Sequence, residues 1–278
     1  MSGNDFWNYY EERVANIGKH YRLALELGAV ESIHDLRVEI KRLRAFVKFA
    51  AKLAPTLKTR KVLSEARKLF KAAGAVRDIQ VQMTLVYRLM TEEKLDISEY
   101  YNYLKEKELA ARGKFVRSAG NFNLRSLTEF GRYARKELAE ADAGELLEKT
   151  GKILSQAVAA LNEYDSTADS SDDFRHQIRI RCKESRYILE IIRSCAAEDK
   201  RLEDLNEGLR SLHRALGKWH DYDIGLKTAS DFITDSARQP FFDQSSYNIF
   251  INRLESEKNE YLQKFENLRQ KLTPLVVP

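Results

Sequence analysis

Two histidines head two matching runs of basic residues. In "HDLRVEIKRLRAF" (34–46) and "HQIRIRCKESRYI" (176–188), His34/His176, Arg37/Arg179, Lys41/Lys183 and Arg44/Arg186 share the spacing H-x2-R-x3-K-x2-R. Steps of three and four residues, at about 100° per residue, gather these side chains within roughly 80° of a helical surface, and Lys48 extends the first set. Ile33, Leu36, Ile40, Leu43 and Val47 fill the neighbouring sector, so the basic stripe borders the core. A solvated charged face would carry acids three or four residues from its cations. Lys41, Arg44 and Lys183 have none at those positions, and only Arg186 has one, Glu190. Like-charge neighbours at this spacing cost about 0.2–0.5 kcal/mol each, so an external anion is the reading that explains them. Arginine offers a planar donor fork and lysine a mobile point charge, a combination suited to phosphate. His34 and His176 add donors that strengthen at low pH, or serve as structural histidines beside the core.

A second pair of blocks follows. "RKLFKAAGAVRD" (67–78) matches "RSLHRALGKWHD" (210–221), aligning Arg67 with Arg210, Lys71 with Arg214, Gly74 with Gly217 and Asp78 with Asp221. The offset is 142 residues for the first blocks and 143 for the second. A period this long predicts two similar helical bundles, 1–140 and 141–278, rather than a solenoid of short repeats. Gly74 and Gly217 suit positions just past a helix end, where a positive φ is needed. Asp78 and Asp221 would then cap the helices that follow. Their other reading is a carboxylate that pins one of the stripe's arginines.

The elements that must carry these residues are helices throughout. Apolar positions recur at helical spacing and no period-2 strand stands out. The pattern predicts helices at 5–28, 31–54, 57–74, 76–93, 97–119, 124–140, 143–164, 173–196, 200–217, 219–235 and 244–272. Breaks fall at Gly28, Pro55, Gly74, "SAGNFN" (118–123), "DSTADSSDD" (165–173), Gly217 and "ARQPFFDQSS" (237–246). The last acids of 165–173 are candidates to cap the next helix.

The chain has 278 residues and a net charge of only +5, unevenly spread. Residues 31–78 carry 13 Lys and Arg against 5 Asp and Glu, whereas 173–221 carry 11 against 9. Concentrated basic charge points to a polyanionic partner. Cys182 and Cys195 fall on one predicted helix about 20 Å apart, too far for a disulfide. Free thiols, no signal pattern in "MSGNDFWNYYEERV" and no apolar run long enough to span a bilayer give a cytoplasmic expectation without membrane attachment.

The paired H-x2-R-x3-K-x2-R helices and the paired G-x2-[RH]-D segments resemble the CHAD family, the conserved-histidine α-helical domain, over nearly the whole chain. The resemblance implies an all-α fold of two pseudo-symmetric four-helix bundles that binds inorganic polyphosphate along a basic groove. It implies His34, Arg37, Lys41, Arg44, His176, Arg179, Lys183 and Arg186 as lining residues, with Arg67, Lys71, Arg210 and Arg214 as additions. Lys48 joins them by its place on the stripe, and Asp78 and Asp221 are supporting residues. Phosphate or sulfate ions would fit the same groove. Association with polyphosphate granules would extend such binding. No catalytic residue, metal or cofactor is expected, and the E-x-E-x-K motif of the triphosphate-tunnel domain fused to many relatives is absent.

The copies differ where Glu190 replaces Lys48, so the first half is expected to dominate binding and Glu190→Lys to strengthen it. Three rivals remain. His213 with the His220–Asp221 pair resembles the metal set of an HD-type phosphohydrolase, although the first copy has Phe70 and Arg77 there. A phosphohistidine carrier would use His34 or His176. Nucleic-acid binding is disfavoured, because Phe46 and Phe49 lie off the stripe and only Tyr187 sits near the second one.

Overall fold

The computed structural model describes residues 3–26, 30–139, 143–162, 171–194, 199–236 and 243–272, and among these the regular elements are all helices. The helices are α1 (Gly3–Glu26), α2 (Val30–Leu53), α3 (Arg60–Glu93), α4 (Ser98–Ala119), α5 (Arg125–Ala139), α6 (Ala143–Asn162), α7 (Asp172–Arg193), α8 (Lys200–Ser236) and α9 (Gln244–Leu272). Several ends follow local chemistry. α2 stops at Leu53, two residues before Pro55, and α3 closes with Lys94 in the left-handed region at φ 52°. α7 is capped by Ser171, whose Oγ accepts from the Phe174 N–H at 3.2 Å. The expected acidic cap is thus replaced by serine, and Asp172 and Asp173 sit in the first turn instead. A negative first turn there complements the positive helix end. Gly28, Cys195 and residues 165–170 and 237–242 of the expected breaks lie outside the described residues.

The expected breaks at Gly74 and Gly217 do not occur. α3 runs through Gly74 for 34 residues and α8 through Gly217 for 37. A single glycine costs a helix about 1 kcal/mol relative to alanine, too little to stop one whose flanks are packed. Neither glycine adopts a positive φ. Asp78 and Asp221 are consequently mid-helix residues, not caps.

The two long helices frame two apolar clusters. One joins α1, α2, α5 and α7 to the first halves of α3 and α8, with Phe46, Leu43, Cys182, Leu189 and Trp219 among its buried residues. The other joins the second halves of α3 and α8 to α4 and α9, through Leu89, Tyr100, Phe232 and Phe250. Each cluster takes residues from both sides of residue 140. α2 lies against α1, α3, α6 and α7, and this central position brings the two histidine-headed runs together. Among the described residues no helix is long and apolar enough to cross a membrane.

Gly74 has a spatial role that Gly217 lacks. A Cβ at position 74 would come 2.4 Å from Nη1 of Arg37, whereas one at 217 meets nothing within 4 Å. The same change should therefore give different results at the two sites. Gly217→Ala should raise stability by about 0.5–1 kcal/mol. Gly74→Ala should gain less or lose stability, because the methyl group evicts the Arg37 guanidinium. Urea melts of the two variants check this.

Candidate functional site

α2 and α7 place their basic runs across a cleft of about 180 Å³. Lys41, Arg44, Ala45 and Lys48 line it from α2, and Ile180, Lys183, Glu184 and Tyr187 from α7. Arg37 sits deeper. Its Nη1 donates to the Phe70 carbonyl at 3.0 Å and its guanidinium lies 4.2 Å from the centre of the Phe70 ring. Its Nη2 is 3.7 Å from Asp78 Oδ1, so the carboxylate does hold an arginine of the stripe. Arg44 and Lys41 approach the same ring at 5.4 and 5.8 Å. One aromatic face on α3 thus gathers three cations through its quadrupole.

Burial works against these charges. It pushes Lys41 down to about 7, helped by Lys183, Arg37 and Arg179. It pushes Lys183 down to about 8, helped by Arg179, Arg44 and Arg37. Arg37, Arg44 and Arg179 are lowered for the same reason, burial first. Among the described residues, Nε of Arg44 and of Arg179 is buried without a hydrogen-bond partner. Asp221 and Asp78 are the carboxylates that favour the Arg179 charge, and both also face Arg77.

At the other end of the run, acids take up the charge. Arg186 lies 4.3 Å from the Tyr187 ring centre and 3.5 Å from Glu190. Glu190 also receives Arg42 Nε at 2.7 Å and the Tyr9 hydroxyl at 3.4 Å. Arg42 continues to Glu39 at 2.7 Å, and Glu39 to Arg13 at 3.2 Å. Glu190 is therefore not a missing cation of the stripe but the centre of an ion network between helices. A lysine there would face Arg42 and Arg186 and break that network, a cost set against the charge that Glu190→Lys would add to the stripe. Lys48 makes a second cross-helix pair, with Glu184 at 3.3 Å.

The remaining candidates lie outside the lining of the cleft. His34 keeps more than a third of its surface exposed, and desolvation of the remainder, with Arg77 nearby, lowers its pKa. His176 is exposed with its ring 5.9 Å from that of His220. Arg67, Lys71, Arg210 and Arg214 are exposed on α3 and α8, and Arg67 is close enough to depress Arg44. Two residues that the sequence offered only as a metal-set candidate and its mismatch, His213 and Phe70, matter here. Phe70 is the ring that carries the first stripe. Its counterpart His213 is held neutral, pushed down to about 3 by burial and by Arg186, Arg179, Lys183 and Lys41. The signal was a flat ring at the same place in both copies. His220 is likewise pushed down to about 4 by burial and Arg179. Among the described residues no three His, Cys, Asp or Glu side chains gather as a metal set.

The CHAD domain family model matches residues 8–229. A crystal structure of the CHAD domain from the plant Ricinus communis superposes with a TM-score of 0.74 at 18% identity, covering 98% of this chain and 91% of that one. PptA from Streptomyces chartreusis gives 0.65 at 17% identity, covering 96% and 99%. At these identities the likeness establishes the fold. No curated protein matches the chain.

Burial of Lys41 makes a pH-dependent prediction about the empty protein. Its folded pKa of about 7 lies below the ordinary lysine value of 10.5, so from pH 7 upward the unfolded chain binds more protons. Stability then rises with pH across that window. Lys41→Met should be more stable than the parent at pH 7, and the difference should shrink by pH 10. Urea melts without polyanion at both pH values check it.

Proposed function

The chain belongs to the CHAD family, and on that premise we propose that it binds inorganic polyphosphate, without catalysis, in the cleft between α2 and α7. One observation carries the reading. Lys41, Arg44, Lys48 and Lys183 converge on a partly enclosed space where, among the described residues, Glu184 is the single acidic side chain. Cations held together against their repulsion are stabilised by an anion that touches several at once. A polyphosphate chain supplies a negative charge on every unit and needs no base platform. Among the described residues the one aromatic side chain that lines the cleft, Tyr187, is buried with the Arg186 guanidinium 4.3 Å from its ring centre, so it is no open platform for a nucleobase. A cytoplasmic setting and contact with polyphosphate granules accord with this reading.

Calorimetric titration with long-chain polyphosphate, pyrophosphate and single-stranded RNA tests it. Long-chain polyphosphate should bind tightest, with the logarithm of affinity falling linearly against that of salt concentration, because phosphate contacts release counterions. Equal affinity for RNA, or no salt dependence, would overturn the proposal. Replacing Lys41 and Arg44 together with alanine should weaken binding at least about tenfold, since hydrogen bonds to charged groups are worth about 1.5–3 kcal/mol each. Lys183 and Arg186 replaced together should cost less, because Glu190 already neutralises Arg186.

Binding should also take up protons. A polyanion raises the lowered pKa values of Lys41 and Lys183, so the complex binds more protons than the empty cleft near pH 8. Affinity should fall from pH 7 to pH 9, and the observed enthalpy at pH 8 should vary with the buffer's ionisation enthalpy.

A further inference from the structure

We propose that Glu184 is an internal counter-anion of the cleft, its carboxylate holding Lys48 until a phosphate of the bound chain displaces it. This rests on the polyphosphate reading above. Among the described residues Glu184 is the one acid that lines the cleft, and its Oε1 accepts from Lys48 Nζ at 3.3 Å across the helix pair. It is also the neighbour that favours the charged form of Lys183. A carboxylate so placed competes for the cations a phosphate would use.

The pairing of the helices explains why it is there. By the 142-residue offset, Glu184 corresponds to Arg42 and Glu190 to Lys48. Arg42 faces Glu190, and Lys48 faces Glu184. Two identical basic runs packed in this way would put Arg42 against a lysine and Lys48 against an arginine. The second run removes both clashes by carrying acids at these positions.

The two acids differ in how firmly they are held. Glu190 is 24% exposed and holds Arg42, Arg186 and Tyr9. Lys48 and Glu184 are 54% and 46% exposed, and both line the cleft. An exposed pair is weak and open to exchange. Glu184 can release Lys48 to an incoming phosphate, while Glu190 stays fixed in its network.

Glu184→Gln keeps the shape and removes the competing charge. At low salt it should tighten long-chain polyphosphate by about two- to fivefold, the range set by a weak exposed ion pair. It should also steepen the salt dependence, because Lys48 then enters with a condensed anion to release. As a control, Glu106→Gln removes the same charge from an exposed position on α4, outside the cleft lining, and should bind close to the parent. Calorimetry on the three full-length proteins reads the affinities, and thermal melts without ligand read folding. Unchanged or weaker binding by Glu184→Gln, with the parent binding normally, overturns this inference alone. Glu106→Gln that tightens binding as much as Glu184→Gln also overturns it. Absence of polyphosphate binding by both the parent and Glu184→Gln overturns the polyphosphate reading and this inference together.

Discussion

Packing α2 against α7 presses two basic runs together, and the apolar faces behind them supply the force. Leu36, Leu43, Phe46 and Val47 on α2, with Cys182, Leu189 and Ile191 on α7, are almost wholly buried. Burying a side chain of this size contributes about 1.5–3 kcal/mol, against about 0.2–0.5 kcal/mol for each like-charge neighbour on a helix. The core wins, and the cations are held where they would not gather alone. The lowered pKa values of Lys41 and Lys183 record that constraint.

The repulsion is relieved unevenly along the helix pair. At one end Asp78 and the Phe70 carbonyl hold Arg37, and Asp221 favours the charge on Arg179. At the other end Glu190 joins Arg42 to Arg186. The flat faces of Phe70 and Tyr187 absorb further cationic charge without adding an anion. Between these ends, Lys41 and Lys183 face the cleft, whose one acid among the described residues is Glu184. The folded core thus brings together, at the cleft, cations that neighbouring acids relieve least.

Continuous α3 and α8 make that arrangement rigid. Each passes from one apolar cluster into the other, so the Phe70 ring, the space at Gly74 and the Asp78 carboxylate sit at adjoining turns of one rod. Gly74 gives up helix propensity to admit the Arg37 guanidinium, which would otherwise meet a methyl group at 2.4 Å. The alignment makes Gly217 its counterpart, yet open space surrounds that position. The two halves thus share a sequence pattern while using one of its glycines differently.

Helical spacing alone determined that these residues form helices, that the cations share a stripe beside the core, and that acids are absent from most of that stripe. These properties depend on neighbours three and four residues apart, which a sequence displays directly. The bounds of α2 and α7 and the set Arg37, Lys41, Arg44, Lys48, Arg179 and Lys183 were legible for that reason. Gly74 and Gly217 were misread because a glycine past a helix end and one that clears space inside a helix look the same in a string of residues. The Arg42–Glu190 and Lys48–Glu184 pairs join positions 148 and 136 residues apart, and Phe70 meets Arg37 across 33 residues. Contacts over such separations exist only after apolar burial has chosen which helices lie together. Tertiary packing therefore decided which cations were neutralised, which were buried and which were left facing the cleft.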